Sequence, residues 1–275
     1  MTGEVAFNLM AAAGGLAALE PPNIITLLNH YAPPSKVIEF LHHFENPIFS
    51  GIAIFLLVFV ARQATRRPQL VPGKLQNLVE MAVEALDNFV TGVIGPRGRR
   101  FTPFIGTLFL YILTMNIMGL VPGMKAPTSS FNTTVALALT VFLYVQFTGI
   151  RTNGILGYLD HLAGSPRPKG VAGFLIALVS VPFNVTLHVI EELAKPLSLS
   201  VRLFGNIFGE DVLIGQMLIL GIAALSFINS PVGLPLQFPF YLLALLLGSI
   251  QALVFSLLST IYIFLMLPHE EEGHH

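Results

Sequence analysis

The run Lys195-Pro-Leu-Ser-Leu-Ser-Val-Arg202-Leu-Phe-Gly-Asn206-Ile-Phe-Gly-Glu210-Asp211 places charges inside sequence that is otherwise apolar enough for a membrane. An arginine at the centre of a bilayer costs roughly 2.5 to 3.5 kcal/mol on insertion scales, and its guanidinium cannot escape that cost by losing a proton. Arg202 is therefore expected to face water, an acid or another protein. In a helix, Arg202 and Asn206 stand four residues apart and Glu210 a further four, so the three drift slowly around one face. Gly205 and Gly209 share that face and leave a groove where the backbone of another helix can come close. The run reads as a contact surface with a fixed positive charge at its middle.

The rest of the chain agrees with a membrane setting. Of its 275 residues, 54% are hydrophobic and only 11% charged, and the mean hydropathy is +0.75, whereas soluble domains carry about a quarter charged residues. The expected class is an all-α polytopic membrane protein. A net charge of -1 argues against nucleic acid, which calls for a clustered basic surface. The absence of cysteine excludes disulfides, thiolate metal sites and cysteine nucleophiles. No cofactor and no metal site is expected: His42 and His43 are adjacent and point to different helix faces, and the two final histidines lie in an acidic soluble tail.

From the N-terminus, residues 1–47 read as an outer or interfacial segment. Residues 5–19 are apolar and small, but Met-Thr-Gly-Glu before them lacks the positive charge of a signal peptide, so a flexible or interfacial tail is expected. Residues 23–47 are too polar to span and are broken by Pro33-Pro34. A single membrane domain then occupies 48–267. Its first apolar segment, 48–61, is short and is expected to borrow residues 44–47 at the outer interface. It ends at Arg62, Arg66 and Arg67, which puts that end inside and the N-terminus outside by the positive-inside rule. Over 75–90 the apolar positions form a helical stripe opposite Gln76, Asn77, Glu80, Glu84, Asp87 and Asn88, which predicts an amphipathic interfacial helix on the inner surface.

Arg97, Arg99 and Arg100 hold the chain inside before 101–121 crosses outward, with Asn116 near its end. A lone buried amide reads first as helix-packing glue and second as part of an ion path. The loop 122–132 returns into 133–150, and Arg151, Arg167 and Lys169 form the next inner basic loop. Between 171 and 228 the chain has no convincing terminator except Pro182 and Pro196, both tolerable as membrane-helix kinks. One helix over that range runs ~85 Å against a hydrocarbon core of ~30 Å. It is either two spans, as hydropathy alone would choose, or one kinked and steeply tilted helix. The last apolar segment is 240–267, followed by the tail 268–275.

The run at 195–211 resembles the pattern KPLSLxxRLFGN followed by an acid in subunit a of F-type ATP synthases, the stator half of the Fo membrane motor. Asn116-Ile-Met-Gly-Leu-Val-Pro122, Asn132-Thr-Thr-Val-Ala-Leu-Ala-Leu139 and Ile250-Gln251-Ala-Leu-Val-Phe255 extend the resemblance over roughly 100–267. It implies about five crossings, with a tilted hairpin over about 171–267 curved against a ring of c subunits. It also implies peripheral-stalk b subunits and other ATP synthase subunits as partners, docking near the amphipathic helix. ATP chemistry would lie in other chains. The implied location is a bacterial plasma (inner) membrane, with a thylakoid membrane as the alternative.

Such a motor loads an ion from one side onto a rotor carboxylate and releases it to the other, through two offset half-channels separated by a barrier. The resemblance implies that Arg202 is the barrier. The long helix enters from the inner loop, so His188, Glu191, Glu192 and Ser198 are candidates for the inner half-channel. Asn206, Glu210 and Asp211 are candidates for the outer one, with Asn116 beside them. The family acid stands eight or nine residues beyond the arginine, and both positions are acidic here. Some members carry a His or Glu seven residues before the family glutamine, where this chain has Ala244, which shifts weight onto the acid pair. Gln251 resembles the glutamine that faces the arginine across the hairpin, where an uncharged amide can hold a guanidinium without cancelling its charge. Whether the ion is a proton or sodium depends on the rotor carboxylate. A secondary transporter with an intramembrane Arg/acid path is the rival reading, although neither an internal repeat nor paired broken helices occur.

Overall fold

A computed structural model of the protein describes residues 23–31, 36–66, 69, 71–162, 170–224 and 233–267. Residues 1–22 of the N-terminal segment, Arg67, Arg167, Lys169 and the acidic tail 268–275 lie outside the described residues. The described chain is helical throughout: α1 (Ile24–Tyr31), α2 (Lys36–His43), α3 (Glu45–Thr65), α4 (Lys74–Ile94), α5 (Thr102–Gly119), α6 (Phe131–Leu162), α7 (Gly170–Ala224) and α8 (Phe238–Met266). Short 3-10 turns at Pro96–Phe101 and Pro127–Ser129 lead into α5 and α6. Among the described residues, five stretches are long and apolar enough to cross a bilayer: Glu45–Thr65, Pro96–Gly119, Phe131–Gly154, Val181–Ala224 and Phe238–Met266. The chain is an all-α polytopic membrane protein.

Helix α3 begins at Glu45, so it does take in the polar residues ahead of the apolar run, and its 21 residues cover ~31 Å, enough for the hydrocarbon core. Only Glu45, Phe49, Ala53 and Ala64 are buried on it; the first three are four apart and pack toward α5, which leaves most of α3 to lipid. The start of the described chain, at Asn23 and Ile24, is folded onto the outer loop. Ile24 N donates to Gly123 O at 2.8 Å, and Asn23 Nδ2 donates to Glu45 Oε1 at 2.5 Å. Lys125 Nζ lies 3.7 Å from the same oxygen. Gly123 has φ +87° and supplies the turn that makes this contact possible.

The amphipathic helix runs to Ile94, four residues past the expected end, because the apolar pattern continues until Gly95, which takes φ +87° and closes the helix by donating to Thr91 O. Asp87 then orients the turn into α5, accepting Thr102 Oγ1 at 2.8 Å and facing Arg99 Nε at 3.2 Å. Helix α5 is central: Ile105, Leu108, Ile112 and Met115 are buried at helical spacing and face α8 and α4. On α8 the buried stripe contains Ala244, Gly248, Gln251, Ala252, Phe255, Ser256, Ser259 and Thr260. It is mostly small, which lets two backbones approach where lipid provides no hydrophobic drive for helix association. A Cβ added at Gly248 would stand 3.2 Å from Asn116 Cβ.

Helix α6 is broken at Gly154, whose φ of 71° and ψ of 168° end the span before the inner loop. Helix α7 settles the choice between two spans and one: it is continuous over 55 residues with Pro182 and Pro196 inside it. Its apolar part, Val181–Ala224, covers ~66 Å and fits a ~30 Å core only when steeply inclined. It packs on α6 along one side and on α8 along another.

Two measurements check this architecture. Five spans from an outer N-terminus put the C-terminus inside, so a reporter fused after Leu267 should score cytoplasmic; a periplasmic score would mean a sixth crossing. Gly248→Leu should separate α5 from α8 and lower the thermal stability of the assembled protein by several degrees, whereas Leu246→Val, on the exposed face of α8, should leave it within about 0.5 kcal/mol of the parent.

Candidate functional site

Along α7, Leu199, Leu203, Ile207 and Ile214 are buried, which turns the other side of the helix outward. On that side Val201, Arg202, Gly205, Asn206 and Gly209 are exposed. A Cβ added at Gly205 or Gly209 would meet nothing within 4 Å. The groove expected from the glycine pair is thus present and open, and no part of the described chain covers it. Arg202 stands in its middle with no hydrogen bond or ion pair to any described residue. At 100° per residue, His188, Glu191, Ser198 and Arg202 fall within about 40° of one line along the helix. His188 is half-buried, and Glu191 and Ser198 are exposed. One polar stripe therefore runs from His188 to the glycine pair.

Glu192 is turned away from that stripe. It is buried, accepts Gln146 Nε2 of α6 at 2.6 Å and is bound directly by Lys195 Nζ. Lys195 also reaches Glu191 Oε1 at 3.4 Å and lies 5.7 Å from the Tyr262 ring centre of α8. His188 Nδ1 is 3.8 Å from Glu191 Oε2. The inner acids thus separate into one held between helices and one on the open face. Buried ion pairs survive only with extra hydrogen bonds, and Gln146 supplies one. Gln146 and Tyr262 escaped the sequence reading. Gln146 carried a signal, as the one amide in the apolar run 133–150, but an aromatic at 262 is indistinguishable from ordinary packing.

Outward of Arg202, Asn206 Nδ2 donates to Gln251 Oε1 at 2.5 Å. Gln251 is 3% exposed and its Nε2 is buried without an acceptor. The glutamine does lie across the hairpin, but its oxygen takes the asparagine one turn beyond the arginine, because the short Asn206 side chain bridges α7 and α8 while the Arg202 side chain leaves on the open face. Glu210 is half-buried and its Oε1 is buried without a hydrogen-bond partner; Asp211 is half-buried beside it. Asn116 uses both ends of its amide, donating to Gly248 O at 2.9 Å and accepting Thr128 Oγ1 at 2.7 Å. Its geometry is that of an interhelical tie. Among the described residues no group of three His, Asp or Glu side chains is placed to hold a metal ion.

The sequence model of the family described as ATP synthase A chain matches residues 47–264, from the first turn of α3 to the last turns of α8. That is further toward the N-terminus than the motifs of 100–267 reached. The protein named ATP synthase subunit a of Protochlamydia amoebophila is 47% identical over 253 residues, covering 92% of this chain and 91% of that one. The protein of the same name from Solidesulfovibrio magneticus is 41% identical over 226 residues, with 82% and 85% covered. That of Moorella thermoacetica is 37% identical over 233 residues, with 83% and 95% covered. A family match over residues 47–264 and identities of 37% to 47% over most of its length make this chain a member of the ATP synthase A chain family.

Proposed function

We propose that this chain is the ion-translocating stator subunit of a bacterial F-type ATP synthase, working in the inner membrane against a rotating ring of c subunits. The observation that carries the reading is Arg202: a permanent cation, unpaired among the described residues, on an open groove of an apolar helix. Such a group is unstable against lipid. It becomes favourable against a partner that brings a carboxylate, and the bare surface at Gly205 and Gly209 supports close approach by a helix of that partner.

The arginine and a rotor carboxylate attract each other by about 4 kcal/mol at 4 Å with an effective dielectric of about 20. That biases the carboxylate toward its ionised form by roughly a thousand-fold as it passes. The same charge repels a cation moving straight between the two sides. An ion therefore leaves the ring on one side of Arg202 and boards on the other. His188, Glu191, Glu192 and Ser198 would line or border the inner half-channel, with Glu191 and Ser198 on its open face and Glu192 fixing its wall through Lys195 and Gln146. Asn206, Glu210 and Asp211 would serve the outer half-channel, with Asn116 holding its wall. The unpartnered Glu210 oxygen supports Glu210 as the group that meets the ion first. The Asn206–Gln251 bond would keep the hairpin in register beside the barrier. The polar face of α4 would receive the b subunits of the peripheral stalk. The rotor carboxylate decides between proton and sodium.

Arg202→Ala should abolish coupled ATP synthesis and ATP-driven pumping while the complex still assembles, with passive ion flux retained or raised. Arg202→Lys should rescue poorly, because a point ammonium lacks the planar fork and can lose its proton when desolvated. Pumping at near-parental rates by the alanine variant in reconstituted vesicles would refute the barrier. Replacing Glu210 and Asp211 together by Gln and Asn should slow transport more than either single change, since adjacent acids beside water can substitute for one another. Full transport by the double variant would remove the pair from the path.

A further inference from the structure

Between the end of α3, at Arg62 and Arg66, and the start of α4 lies a cavity of about 540 Å³. Among the described residues it is lined by Gln63, Arg66, Gln69, Gly73, Lys74 and Gln76, with two others, and by no acidic one. Neither Arg66 nor Lys74 forms an ion pair with any described residue, so two positive charges line a cleft that no described carboxylate neutralises. Glu80, one turn along α4, is held by Gln76 Nε2 at 2.7 Å and does not line the cleft. Gln76 also braces the far wall, exchanging hydrogen bonds of 3.2 Å with both the N–H and the carbonyl of Gln69. Helix α4 starts at the cavity without a side-chain cap.

We propose that this cleft binds the phosphate-bearing headgroup of an anionic phospholipid, held by Arg66 and Lys74. Its surroundings favour a lipid over a free anion. Helix α3 above it is lipid-facing, with Phe55 71% and Phe59 54% exposed. Leu75 and Leu78, at 42% and 57% exposure, offer acyl chains an apolar flank beside the polar cleft. Basic pockets of this kind at membrane-helix ends suit acidic headgroups, at about 1 kcal/mol per cation, or roughly five-fold each. A zwitterionic headgroup would bring its own cation against Arg66 and Lys74. The site lies apart from Arg202 and its proposed ion path and does not depend on that reading.

The test uses the intact ATP synthase complex in nanodiscs of phosphatidylglycerol or of phosphatidylcholine. Acetylation of Lys74 by a water-soluble ester is measured by peptide mass spectrometry, with exposed Lys36 as the internal reference for reagent access. Phosphatidylglycerol should slow Lys74 relative to Lys36 about five-fold or more. Millimolar inorganic phosphate in phosphatidylcholine discs should have no such effect, and Arg66→Gln should remove most of the protection. Equal ratios in the two lipids would overturn the proposal without need of any variant. Protection by inorganic phosphate alone would mean a free-anion site, and undiminished protection in Arg66→Gln would mean general surface charge; either result also overturns it.

Discussion

The high cost of an unsolvated charge in a bilayer governs how this protein is built. Helix α7 carries His188, Glu191, Glu192, Lys195, Arg202, Glu210 and Asp211 through an apolar layer, and these groups are disposed in a few distinct ways. Lys195 and Glu192 neutralise each other between α6, α7 and α8, with Gln146 completing the coordination. His188, Glu191 and Arg202 lie along an open stripe. Glu210 and Asp211 are half-buried outward of it. The pair between helices reduces its own cost and Glu191 is offset in part by Lys195 and His188, whereas Arg202 has no hydrogen bond or ion pair with any described residue. That asymmetry separates structure from function within a single helix.

The helices that carry α7 are held by contacts suited to lipid, where apolar surface alone gives no reason for two helices to pair. The α5–α8 seam relies on small residues, on Gly248 against Asn116 and on the Asn116 amide that reaches the Gly248 carbonyl, while Asn206 ties α7 to Gln251 of α8. Each of these ties also satisfies a polar group that lipid would leave unsatisfied. The outer loop is secured in the same way, with Glu45 shared by Asn23 and Lys125. The result is a rigid wall on one side of α7 and an open groove on the other.

Much of this was legible beforehand. The spans other than 171–228, the amphipathic helix and the extra residues of α3 follow from hydropathy, periodicity and the arginines at span ends, all of which are local. That Arg202 faces water, an acid or another protein followed from the cost of a guanidinium in a bilayer, and the open groove from the glycines four apart beside it. Hydropathy alone favours two spans over 171–228, since a tilted helix and two upright ones have the same composition and it does not register tilt. Family resemblance favoured one helix, and α7 is unbroken. The end of α4 was missed by four residues because a glycine terminates a helix only when it takes a positive φ, and Gly95 was not weighed as a terminator.

By itself the sequence determined that the chain lives in a membrane, where it crosses, and which helix carries charges that lipid cannot tolerate, because these depend on the order of residues along one chain. Tertiary structure alone decided the partner of each polar group. Gln251 takes Asn206 and leaves Arg202 bare; Glu192 is fixed by Gln146 while Glu191 stays exposed; Asn116 spends its whole amide on Gly248 and Thr128. These pairings join residues 45, 46 and 132 positions apart. They depend on the rotation and register of one helix against another, to within a single turn, and neither quantity is encoded in the periodicity of either helix alone.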